Sequence, residues 1–207
     1  MQRPEIWIGI KQFEVLSSAP GRKRRAEHAA GMELLQQGLL ECYGIEKDFL
    51  AEEPASQAGA DASGSIGRGQ HGKPYLIGRP EIHFNISHCD GLAACAIDSR
   101  PVGIDVERIR PCRDSLLLRV LSEHERRQVE AAGSREEREE RFFRFWTLKE
   151  SYLKAVGCGI TASLTSVEFT LADGEDGEIG CSAPGYSFWQ ERIFEDVILA
   201  VCTVEGK

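Results

Sequence analysis

The sequence predicts an α+β fold, with a helix and antiparallel strands in each half of the chain, and three observations carry that expectation. Two long segments, about 22 to 43 and about 135 to 156, place apolar residues near helical spacing. Short runs at 82–86, 92–97 and 102–106, and again at 166–171, 186–193 and 197–204, are β-branched or apolar and bounded by turn residues. The chain has 207 residues, enough for one large domain or two of roughly 100 residues each, either of which can bury a core.

In chain order, 6–10 reads as an opening strand. The first long helix follows, with Leu34, Leu35, Leu39 and Leu40 near helical spacing and Gly44 as its stop. From about 52 to 71 the composition turns to Ala, Gly, Ser and Gln, which cannot bury enough surface to fix a conformation, so this stretch is expected to be a flexible loop. Order returns at Lys73 to Leu76 and leads into the three middle strands. Beyond Pro111 lies a charged helical stretch. Ser134 and Glu137 have the capping-box spacing for a helix over 135–156, whose apolar stripe is Phe142, Phe145, Trp146, Leu153 and Val156, and Gly157 and Gly159 supply its left-handed stop.

Composition excludes several classes. Acids number 33 against 25 Lys plus Arg, a formal charge of −8 with no long basic run, which disfavours nucleic-acid binding. The seven cysteines are scattered, odd in number and free of metal-ligand spacing, which points away from a disulfide framework or structural zinc. The N-terminus lacks a signal pattern, and Asp98, Asp105 and Glu107 interrupt the most apolar stretch well short of a membrane span. A soluble cytoplasmic protein without a membrane partner is expected.

Against that acidic background, a few residues suggest a local anion and metal site. On a strand, Asp105 and Glu107 project to one face and Ile104 and Val106 to the other, so the two carboxylates can share a divalent ion; a solvated acidic face is the bland alternative. Glu150 and Lys154 lie one helical turn apart, as an ordinary surface ion pair would, but beside the apolar stripe. Lys149, on the aromatic side of the same helix, suggests that the helix borders a cleft. Asn85, Ser87 and His88 end a strand at a turn, Cys89-Asp90-Gly91, where they would either bond phosphate oxygens or satisfy local backbone. Gly72-Lys73-Pro74 can bring an ammonium near an anion. Arg22 to Arg25 is the basic cluster at the start of the first helix, where cations oppose the helix dipole unless an anion relieves them.

Taken in order, Gly72-Lys73-Pro74, Phe84-Asn85-Ile86-Ser87-His88, Gly103-Ile104-Asp105-Val106-Glu107, and Phe145 to Ser151 with Lys154, Gly157 and Gly159 resemble the 4′-phosphopantetheinyl transferase family. The likeness is to its larger, two-lobed members and runs from about 72 to 160. It implies two similar, pseudo-twofold α/β lobes, 1–101 and 102–207, each a small, largely antiparallel sheet packed with a long helix. It further implies a monomer with coenzyme A between the lobes. The implied reaction moves 4′-phosphopantetheine from coenzyme A to a serine hydroxyl of an apo acyl or peptidyl carrier protein, releasing adenosine 3′,5′-bisphosphate.

Carried over residue by residue, the resemblance makes Asp105, Glu107 and Glu150 ligands of Mg²⁺ or Mn²⁺, and Lys154 the neutraliser of the pyrophosphate. Gly72, Lys73, Asn85, Ser87 and His88 become coenzyme A contacts, with Arg68 and Arg25 near its nucleotide end. Glu150, Lys154, Asp105 and His88 form the implied catalytic set, and Glu125 matches another acid near the site. Either Glu150 or a metal-bound water takes the serine proton. Cys89-Asp90 departs from the family's usual serine after the histidine, the N-terminal region is short, and 52–71 looks like an insertion. A carrier would dock near Leu116 to Arg127, a region that also reads as a plain surface helix. Two other functions suit the same residues: a metal-dependent nucleotide phosphodiesterase or pyrophosphatase, and a non-catalytic module binding coenzyme A or a carrier.

Overall fold

The computed structural model describes residues 6–14, 20–46, 66–158, 163–172 and 178–206. Strand β1 (Trp7–Gln12) is followed by helix α1 (Pro20–Tyr43), the short pair β2 (Ile66–Arg68) and β3 (Pro74–Leu76), and the hairpin β4 (His83–Cys89) and β5 (Leu92–Asp98). The chain then repeats the plan. Strand β6 (Val102–Arg108) leads through α2 (Asp114–Val120) and α3 (Glu123–Glu130) to the long α4 (Arg135–Val156), then to the pair β7 (Phe169–Leu171) and β8 (Ile179–Cys181) and the hairpin β9 (Tyr186–Phe194) and β10 (Val197–Val204). The main sheets are ordered β1-β5-β4 and β6-β10-β9, all antiparallel. In each, the first strand and the hairpin's first strand flank the hairpin's last strand, and a long helix covers the sheet. This is the α+β arrangement of two similar lobes that the sequence led us to expect.

The core explains why the central strands read as unbroken apolar runs. On β5, Ala93, Cys95 and Ile97 face Leu34, Leu35 and Leu39 of α1, while Leu92, Ala94 and Ala96 face the other sheet. On β10, Val197, Leu199 and Val201 join that same inter-sheet core, and Ile198 and Ala200 turn toward Phe142, Phe145 and Leu148 of α4. Both central strands are therefore buried on two faces, which alternation cannot reveal. The small side chains of Ala94 and Ala96 leave room for the second sheet, and β4 and β6 meet where the sheets adjoin.

Several local expectations need correction. Residues 66–71 are not loop throughout: β2 pairs with β3 (Ile66↔Leu76, Gly67↔Tyr75), so backbone bonds and the Tyr75 ring over Gly67 supply the order that apolar burial does not. The rest of that predicted loop, 52–65, lies outside the described residues, as does Gly159. The expected strand over 166–171 begins as a single 3-10 turn at Leu164–Ser166, is already extended at Val167, and pairs as a strand only from Phe169. Val156 is exposed rather than part of the buried stripe. At the start of α4, Ser134 accepts a hydrogen bond from Glu137 N, but Glu137 reaches Gly133 N, so the box is only half formed. A complete capping box stands instead at Ser122 and Glu125. Among the described residues no helix is long and apolar enough to cross a membrane, and none of the seven cysteines is in a disulfide.

Candidate active site

The site is built where β4, β6 and α4 meet. Gly103 makes this possible: a Cβ there would collide with Ser151 O and Ala155 N, so only glycine lets the backbone of α4 lie directly on β6. With the helix that close, Lys154 crosses to the strand. Its ammonium donates to Asp105 Oδ1 at 2.6 Å, Ser87 Oγ at 3.0 Å and Ile104 O at 3.1 Å. Side chains of β4 bond the same stretch of β6. Asn85 Oδ1 accepts from Ile104 N (2.9 Å), Ser87 Oγ accepts from Val106 N (3.3 Å), and Ser87 donates to Asp105 Oδ1 (2.9 Å). Asn85 and Ser87 thus give the β6 backbone the partners that a neighbouring strand would supply.

Asp105 is buried, and its second oxygen, Oδ2, has no hydrogen-bond partner. A buried carboxylate oxygen left bare is costly unless a ligand completes it. Two more carboxylates stand within electrostatic reach. Burial, reinforced by the charge of Asp105, holds the carboxyls of Glu150 and Glu107 above the usual range. Oxygen donors alone, one of them unpartnered and two of them strained by mutual repulsion, suit a hard divalent cation. Glu107 gives one oxygen to Arg110 (2.7 Å), and among the described residues no three His, Cys, Asp or Glu side chains are yet gathered tightly enough to hold a metal.

Beside these groups opens a cavity of about 430 Å³ lined by His71, Gly72, Lys73, Asn85, Glu150, Lys154 and, from α2, Arg119. Lys73 sits at the C-terminal end of α4, donating to Ala155 O (2.9 Å) and Val102 O (3.1 Å), and burial pulls its ammonium down to about 8. Five of the sequence-predicted residues, Gly72, Lys73, Asn85, Glu150 and Lys154, therefore line one cavity, with Ser87 and Asp105 bonded to Lys154 at its edge. The others stand apart from that lining. His88 is exposed on the α1 side, its Nδ1 3.6 Å from Glu27 Oε2; Arg25 is exposed on α1; and Arg68 bonds Gly72 O at 3.2 Å.

Two readings change. Helix α4 does border a cavity, through Glu150 and Lys154, but not at Lys149, which is fully buried and paired with Glu125 at 2.9 Å; Glu125 is equally buried and is not part of the cavity lining. The sequence presents Gly103 only as the first residue of a motif and Arg119 only as part of a docking stretch, and assigns neither a role in the site. A glycine inside a strand pattern was the available signal for the first; nothing local marks the second. A separate cavity of about 520 Å³ lies between α3 and α4, but Arg141 and Arg144 in its wall are bonded to Glu137 and Gln190.

Comparison with known proteins matches the same part of the chain. The family model described as the 4′-phosphopantetheinyl transferase superfamily matches residues 101–202, the stretch that holds Gly103, Asp105, Glu107, Glu150 and Lys154. A 4′-phosphopantetheinyl transferase of Bacillus subtilis is 35% identical over 161 residues, covering 75% of this chain and 70% of that protein. HetI of Nostoc sp., of the same description, is 38% identical over 141 residues (65% and 58%), and Sfp of Bacillus subtilis is 34% identical over 115 residues (56% and 50%). The chain thus spans about half the length of some relatives and more than two thirds of another. Relatedness over that span, with the strand and helix of the site inside it, shows that the chain belongs to the 4′-phosphopantetheinyl transferase superfamily.

Proposed function

We propose that the cavity between β4, β6 and α4 binds the diphosphate of coenzyme A and that the enzyme transfers 4′-phosphopantetheine from it to a serine of an apo carrier protein. The observation that carries this reading is the bare Asp105 Oδ2 beside Glu107, Glu150 and Lys154, at the edge of a cavity whose wall also carries Lys73 and Arg119. Asp105, Glu107 and Glu150 would hold Mg²⁺ or Mn²⁺, which when bound supplies Lewis-acid stabilisation of phosphoryl charge. Lys154 and Lys73 supply positive charge against the diphosphate. The serine oxygen forms a bond to the β-phosphorus, the bond to the bisphosphate breaks, and adenosine 3′,5′-bisphosphate leaves. Glu150 is the acid in the cavity wall itself, and its raised carboxyl is suited to accept the serine proton.

Ser87 and Asn85 hold β6 and Asp105 in place from beneath. His88, Arg25 and Arg68, outside the cavity lining, belong with the nucleotide end of coenzyme A in this reading. The lobe boundary falls at 101/102, ahead of the metal-bearing strand, and one chain supplies both walls, so a monomer suffices. The carrier meets the second lobe around α2, where Leu118 is exposed. The relatives support transfer over the hydrolytic and non-catalytic alternatives. Incubation with coenzyme A, Mg²⁺ and a panel of apo carrier proteins, read by intact mass, should show phosphopantetheine addition to at least one; free adenosine 3′,5′-bisphosphate with every carrier unmodified would instead indicate hydrolysis.

A further inference from the structure

The cations of the cavity differ in how much of their bonding capacity is already spent. Lys154 directs all three ammonium hydrogens at protein atoms, namely Asp105 Oδ1, Ser87 Oγ and Ile104 O. Lys73 spends two of its three on Val102 O and Ala155 O. Each attracts an anion by charge but has little left with which to grip one. Arg119 lines the same cavity from α2, is exposed, and makes no ion pair, hydrogen bond or ring contact with any described residue. None of its five N–H donors, in a planar fork that matches phosphate geometry, is spent on a described residue.

Many arginines of this acidic chain are engaged, as Arg108 is with Asp196, Arg110 with Glu107, Arg138 with Asp114 and Arg192 with Glu140. Others, such as Arg24 and Arg113, are exposed without a side-chain partner among the described residues, and Arg119 differs from these in lining the cavity. The one acid in the cavity wall, Glu150, does not take it up. A place in the last turn of α2 suits a cation as a helix-end charge, but that role needs no side chain in the cavity wall. Behind it, α2 packs against the Leu164–Ser166 turn, which bounds the same cavity at Leu164. The arginine is therefore carried on a supported element rather than a free loop.

We propose that Arg119 is the residue that grips the diphosphate, donating a two-pronged bond to phosphate oxygens from the α2 wall, while Lys73 and Lys154 act by charge. This rests on the coenzyme A reading above and adds to it the group that fixes the ligand's orientation. A charge-assisted hydrogen bond of this kind predicts a loss of about ten- to a hundredfold in coenzyme A affinity on removal.

The test is calorimetric titration of the full chain with coenzyme A and, separately, with inorganic pyrophosphate. Arg119→Met should weaken both by about that factor and Arg119→Lys by less, because lysine keeps the charge but loses the fork. The carrier's KM and the melting temperature should not move, since the side chain makes no hydrogen bond or ion pair with any described residue. Unchanged coenzyme A binding in Arg119→Met would overturn the proposal, and so would a loss confined to the carrier's KM, which would assign Arg119 to an acidic group of the partner. Because binding is read without a carrier, failure of transfer by the wild-type chain and failure of Arg119 to matter are separate results.

Discussion

Helix α4 carries two lysine–carboxylate pairs five residues apart, and they have opposite characters. Lys149 and Glu125 are sealed. The ammonium donates to Glu125, Leu164 O (2.8 Å) and Val167 O (2.6 Å), and the carboxylate accepts from Ser122 N and Phe169 N (both 2.8 Å), so no donor or acceptor is left over. Lys154 and Asp105 are closer, at 2.6 Å, yet one carboxylate oxygen has nothing to bond. The same two kinds of group, held by the same helix, form a fastener in one place and an incomplete site in the other. What separates them is whether the surrounding backbone finishes the bonding: around Glu125 it does, and at Asp105 Oδ2 a ligand must.

The sharpest way to break this comparison is to remove each acid in turn. Glu125→Ala strands a fully buried ammonium and also strips bonds from Ser122 N and Phe169 N, and breaking such a pair costs about 3–5 kcal/mol. Urea midpoints should fall accordingly, while transfer per folded molecule stays near wild type. Asp105→Ala should do the reverse: Lys154 is partly exposed and keeps Ser87 and Ile104 O, so the fold survives, and transfer drops by about a hundredfold or more. If Asp105→Ala transferred at the wild-type rate, or Glu125→Ala were as stable as the parent, the distinction between closed and open pairs would collapse.

Much of this molecule was legible in its sequence, because long periodic segments and apolar runs fix elements well. The bounds expected for the helix over 135–156 and the strand over 197–204 are the observed ones. Asp105 and Glu107 on one face of a strand, with Ile104 and Val106 in the core on the other, was likewise a matter of period two. Lys149 misled because its partner lies 24 residues earlier on another helix, and only tertiary packing brings Glu125 beneath it. The two halves of the site could be read separately from β6 and α4, but their contact depends on Gly103, whose role appears only when the helix backbone is laid on the strand.

That contact gives a second, smaller test, set against the first lobe. In the second lobe the glycine is on the strand and a side chain there would strike the helix backbone. In the first, α1 carries one at Gly38: the atoms nearest a Cβ there belong to side chains, Ile97 Cδ1 at 2.5 Å and Trp7 Cε3 at 2.6 Å. Side chains can shift where backbone cannot. Gly103→Ala should therefore cost about 3 kcal/mol and disrupt transfer by lifting Lys154 off β6, whereas Gly38→Ala should cost about 1 kcal/mol, part of the crowding being offset by alanine's better helix propensity. Equal shifts in the two urea curves would mean that the second lobe has no special need for close backbone approach.

Lys73 supplies the mildest test, because it stands between the two kinds of lysine: it caps α4 through Ala155 O, as a structural cation would, yet it lines the cavity. Its folded-state value, pulled by burial from 10.5 to about 8, sets opposite signs for stability and for binding. In the free protein the depressed group binds its proton less readily than in the unfolded chain, so its contribution to stability is lost as pH falls through about 8 and recovered toward 10.5. Anion binding needs the ammonium, so coenzyme A affinity should be full below about 8 and decline several-fold as pH rises past it. Calorimetry between pH 7 and 9 should show that decline in the wild type, while Lys73→Arg, which keeps its charge throughout, gives a flat profile. A wild-type profile as flat as the arginine variant's would make Lys73 a helix cap only, and would group it with Lys149 rather than with Lys154.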